Sequence, residues 1–93
     1  MHTDRESPAI PLAKALLQRG AVVRFHDPLV KQFCVSNKDV PRVDDVYESL
    51  AEADISVLLQ NHQEYDIEAM TAVSRRFFDT RGVARAGHNV QLL

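Results

Sequence analysis

Two short polar clusters carry the residues best suited to binding chemistry. The first is Asp4-Arg5-Glu6-Ser7-Pro8-Ala9, and the second is Phe77-Phe78-Asp79-Thr80-Arg81-Gly82. Arg5 and Arg81 each offer a planar fork of donors suited to carboxylate or phosphate oxygens. Ser7-Pro8 opens a helix: a hydroxyl to cap free N–H groups, then a residue with φ already set. That helix N-terminus adds partial positive charge. The chemistry indicated is recognition of a polar, anionic ligand. Each cluster also has a plainer reading. Arg5 and Glu6 serve equally well as a solvated capping pair, and Asp79-Thr80-Arg81 as an Asx-type turn that displays an arginine.

The elements between the clusters follow from apolar spacing. Ile10, Ala13, Leu16 and Leu17 recur at helical intervals, and Gly20 stands where a C-cap belongs. Pro11 is tolerable only inside the first turn of that helix. Ala21 to Asp27 reads as a strand ended by Pro28. Leu29 to Phe33 fits a short helical turn, and Ser36 to Asp45 a polar loop with a short edge strand near Val43. Val46, Tyr47, Leu50 and Ala51 mark a second helix. Asp54 to Leu59 is a strand, and Gln60 to Tyr65 a loop. Asp66 caps a third helix bearing Ile67, Met70 and Val73. Arg76 to Asp79 is a third strand, and Asn89 to Leu93 a short apolar end.

Helices alternate with strands that are apolar on both faces, joined by short loops. The expected fold class is therefore α/β, a three-layer Rossmann-like parallel sheet with helices on both faces. Residues 1–93 read as a single domain. The order opens with a helix, so the strand that normally precedes it is expected to be lacking. In such sheets ligands bind outside the carboxyl ends of the strands. The ends His26-Asp27, Asn61-His62 and Asp79-Thr80-Arg81 collect polar residues there.

Bulk properties narrow the function. The chain has 93 residues, 45% hydrophobic and 26% charged, with a formal net charge of −2. These values suit a small soluble domain and make no electrostatic case for nucleic acid or an anionic membrane. No apolar run is long enough to span a bilayer. The single cysteine, Cys34, cannot pair internally, so a reducing cytoplasm is the expected location. Cys34 itself reads as a small buried or half-buried thiol. The four histidines lack metal-ligand spacing, and the three glycines do not form G-x-G-x-x-G, so neither a metal nor a dinucleotide is expected on this chain. Nothing readable supports a receiver-like or flavodoxin-like site.

Five segments in order resemble one family. They are Asp4 to Ala9, Ala21 to Pro28, Glu48 to Asp54, Asn61 to Tyr65 and Phe78 to Val83. Together they resemble the C-terminal, UDP-binding domain of the UDP-glucose/GDP-mannose dehydrogenase family. Asn61 to Tyr65 and Thr80 to Gly82 look more like the UDP-N-acetylhexosamine 6-dehydrogenase branch. The resemblance implies an oxidoreductase of polysaccharide biosynthesis that oxidises the C6 alcohol of a UDP-sugar to a uronic acid. In the family NAD and a catalytic cysteine belong to other domains. The resemblance therefore implies that this chain holds no cofactor, is N-terminally truncated and is not catalytic alone. It also implies that Arg81 contacts the nucleotide sugar, with Thr80, Arg5 and Ser7 as further substrate-binding residues. The competing reading is a non-enzymatic α/β interaction module that completes its sheet by pairing with another chain, as in a homodimer.

Overall fold

A computed structural model describes residues 9–93. The described residues separate into two compact units, one ending at Asp44 and one spanning Asp45–Leu93. The helix start expected at Ser7-Pro8 lies outside the described residues.

The first unit begins with helix α1 (Ala9–Gln18), whose Pro11 falls within the first turn and leaves the hydrogen-bond ladder intact. Its end is a Schellman motif: the Ala21 amide donates to Leu16 O and the Gly20 amide to Leu17 O, both at 3.0 Å. Gly20 supplies the left-handed φ of +85° that this motif requires. Ala13 on α1 is buried with Val35 and Val40, and Leu17, Val23, Phe25 and Phe33 pack around them. The Phe25 and Phe33 rings meet edge-on, with centroids 5.6 Å apart.

Three expectations for this unit are corrected. The strand expected over residues 21–27 forms only one parallel bridge, between Phe25 and Arg42. The Phe25 amide donates to Pro41 O, and the Val43 amide to Phe25 O. β-Propensity needs a partner ladder to become a strand, and among the described residues only this short segment lies alongside. Val22 is accordingly 93% exposed. The helical turn expected at Leu29 to Phe33 is a series of bends. Asp27 Oδ1 accepts the Leu29 amide there, while Arg42 donates to the Asp27 and Val30 carbonyls. Side chains, not an i→i−4 ladder, satisfy that backbone. Finally, a hairpin of β1 (Cys34–Val35) and β2 (Lys38–Asp39) forms where the polar loop is expected to begin. Ser36 and Asn37 turn it at φ 52° and 65°, the left-handed pair of a type I′ turn.

The second unit is a three-stranded parallel sheet in the order β3 (Ser56–Leu58), β4 (Phe77–Asp79), β5 (Val90–Leu92). This is the expected α/β class. Helix α2 (Val46–Glu52) precedes β3, and α3 (Ile67–Val73) joins β3 to β4. Asp45 and Asp66 cap the two helices, accepting the Glu48 and Ala69 amides at 3.1 and 3.2 Å. Ser56 lies opposite Phe77 and Leu58 opposite Asp79, so with a side-chain period of two these four share one face. Leu58 and Phe77 on that face are buried with Leu50 of α2 and Met70 of α3.

The β4–β5 connection carries no helix. Its far end is held by Asn89, whose side-chain amide donates to the Thr71 and Ser74 carbonyls at 2.8 and 3.0 Å. Those carbonyls belong to the end of α3, where the helix has no internal donors left. Ser74 is buried, and its hydroxyl donates to Met70 O.

Candidate functional site

Parallel strands deliver their following loops to one edge. Gln60 to Tyr65 leaves β3 there, and Thr80 to Ala84 leaves β4 there. His62 and Tyr65 stack edge-on within the first loop, with centroids 5.2 Å apart.

The second loop is organised by Asp79. This residue is fully buried at the end of the central strand. Its Oδ1 accepts the amides of Arg81 and Gly82 at 2.7 and 2.9 Å. Its Oδ2 accepts those of Val83 and Ala84 at 2.7 and 2.6 Å. The bond to Arg81 is an Asx turn, and the other three extend it into a cradle of four N–H groups. Gly82 turns within it at φ +72°. Burial by itself would raise the Asp79 pKa. The four amides favour the charged form more strongly, and the carboxyl is held below the ordinary carboxylate range.

A pH dependence follows. An unfolded aspartate titrates at about 3.9. A folded pKa below that means Asp79 contributes its full stabilisation above the unfolded value. The contribution is lost as pH falls through the folded pKa. Thermal unfolding followed from neutral pH downward is expected to show stability falling below about pH 4. The Asp79-dependent part of that fall should vanish in Asp79→Asn. An identical acid profile in wild type and variant would contradict the assignment.

The expected site residues lie as follows. Thr80 is pinned: its amide and its hydroxyl both donate to Leu58 O, at 3.1 and 2.6 Å. Arg81 follows it, exposed, on the loop that Asp79 holds. Arg5 and Ser7 lie outside the described residues. Thr80 and Arg81 are thus placed together at the carboxyl edge of the sheet. Cys34 is not buried or half-buried, as expected, but exposed on the hairpin. Its thiol donates to Asp39 Oδ1 at 2.8 Å, and that bond to a carboxylate raises its pKa. The thiolate, which is the nucleophile, is disfavoured there.

Asp79 is the residue whose importance the sequence reading missed. The Asx-turn pattern signalled its first bond but not the other three. Arg42 was also missed, because its work is to hold carbonyls of a loop far from it in sequence.

The second unit is a small Rossmann-like parallel α/β sheet with Thr80 and Arg81 at its carboxyl edge, the edge at which open sheets of this class bind ligands. The comparisons are consistent with that class. The family model described as the UDP-glucose/GDP-mannose dehydrogenase family, UDP binding domain, matches residues 1–86. The chain belongs to that family, through its UDP-binding domain. Searches of curated proteins and of solved structures returned no match. No helix among the described residues is long and apolar enough to cross a membrane.

Proposed function

We propose that this chain holds the nucleotide diphosphate part of a UDP-sugar for an NAD-dependent 6-dehydrogenase. Residues 1–93 act in this reading as one nucleotide-sugar-binding domain. Arg81 pairs with an anionic group of the ligand, and Thr80, Arg5 and Ser7 complete the contact. The observation that carries the reading is the exposed Arg81 on a loop fixed at the carboxyl edge of a parallel sheet. The family supplies the UDP part of the reading. Asn61 to Tyr65 and Thr80 to Gly82 favour a UDP-N-acetylhexosamine as the substrate, and so a uronic acid product in cytoplasmic polysaccharide biosynthesis. Oxidation of the sugar alcohol requires NAD and a cysteine nucleophile. Cys34 is poorly suited to the second role, since its thiol is held protonated by Asp39. In this reading the chain contributes binding of the nucleotide sugar, and Cys34 is not the nucleophile.

The test is a two-dimensional amide titration with UDP. Wild-type resonances of Thr80 and Arg81 should shift saturably. Arg81→Ala should weaken binding by about 1.5–3 kcal/mol, the value of a hydrogen bond to a charged group. Unchanged affinity in that variant would remove Arg81 from the site, and no response to UDP at all would end the reading.

A further inference from the structure

Loops that follow parallel strands commonly bind anions with their own backbone amides, gathered into a nest. In this chain such a nest is already filled. The amides of Arg81, Gly82, Val83 and Ala84 are all given to the carboxylate of Asp79, which has no exposure to solvent. An internal anion thus occupies the place an external phosphate would take. What the loop still presents outward is the side chain of Arg81, exposed and preceded by two fixed residues. They are Asp79 itself and Thr80, whose amide and hydroxyl both donate to Leu58 O.

We infer that Asp79 is the positioning residue of the nucleoside diphosphate site: by filling the amide nest it fixes the backbone that carries Arg81 and leaves recognition to the guanidinium. This rests on the reading that UDP binds at this edge. It adds a division of labour to that reading. The backbone of the loop is spent on internal order, so the ligand's charge is met by a side chain. A preformed arrangement of this kind binds without paying to order the loop.

The experiment uses the full chain, UDP as the probe, and amide and arginine Nε resonances as the readout. In the wild type, saturation with UDP should shift Arg81 Nε–H, while the Val83 and Ala84 amides keep their positions and their slow exchange. Loss of protection at those amides would overturn the inference, because UDP would then be taking the nest from Asp79. Asp79→Asn retains one acceptor oxygen and loses the other. Its folded fraction should bind UDP about tenfold more weakly, the scale of one charge-assisted hydrogen bond, and no more weakly than Arg81→Ala does. The double variant Asp79→Asn/Arg81→Ala should bind no worse than Arg81→Ala alone, since Asp79 acts through Arg81.

Val40→Ala is the control for a merely structural effect. It weakens the core of Ala13, Val35 and Val40, to which no residue of the loop belongs, and its folded fraction should keep the wild-type affinity. Wild-type affinity in folded Asp79→Asn, or full additivity in the double variant, would overturn the inference and leave UDP binding intact. If Asp79→Asn does not fold, the wild-type amide and guanidinium shifts decide. A wild type that ignores UDP would sink the underlying reading and the inference with it.

Discussion

Asp79→Ala is expected to lower stability by about 3–5 kcal/mol, because four amides lose a charged acceptor at once. Each donor left unsatisfied in a buried setting costs about 1–3 kcal/mol. The total falls short of four such terms, since Arg81, Gly82 and Val83 lie at the surface and water can reach them when the loop opens. Denaturant unfolding followed by circular dichroism measures the loss. A change below about 1 kcal/mol, the ordinary effect of a point substitution, would mean that the loop is solvated rather than held. Amides 81–84 should also become the fastest-exchanging of the lost contacts, which separates failure of the loop from failure of the whole sheet.

Phe77→Ala is expected to cost about 3–5 kcal/mol, by a different route. Phe77 is 2% exposed on the middle strand of the sheet, against Leu50, Leu58 and Met70. Truncation removes apolar area from the core and leaves a cavity that α2, α3 and the paired strands can only partly close. Against the roughly 5–15 kcal/mol that small proteins hold in total, this is a large share. Phe77→Leu, which keeps most of the volume, should cost well under half as much. Equal losses in the two variants would show that the ring's shape, not its volume, governs the packing. Only Asp79→Ala should alter the acid profile, because Phe77 does not titrate.

The difference between these residues also explains what the sequence made legible. The apolar periodicity of Val46 to Ala51 and of Ile67 to Val73 placed α2 and α3, and Asp66 before the second run placed the cap of α3. Short, mostly apolar runs placed β3 and β4. Local chemistry was enough in all of these cases. The strand expected over 21–27 had the right composition but depended on a partner ladder, which composition does not report. The β1–β2 hairpin turns on Ser36-Asn37 rather than on a glycine pair, so its strongest sequence signal was absent. β5 is a short run whose strand character comes from its register against Phe77 and Asp79. For the site, the displayed arginine was legible from Asp79-Thr80-Arg81, and so was the Asx turn. The full cradle was not, because the bonds to Val83 and Ala84 depend on the path the loop takes after Gly82.

The cradle also bears on the order of folding. All four of its bonds span two to five residues, so they close small loops at little entropic cost. The pairing of β4 with β5 is a more distant event, with Phe77 opposite Val90. Once the cradle forms, residues 79–84 behave as a single stiff corner, and the chain left to search for β5 is only the stretch from Arg85 to Asn89. A carboxylate at the end of one strand thereby shortens the kinetic distance to the next, and so takes the part that a crossover helix usually plays between parallel strands.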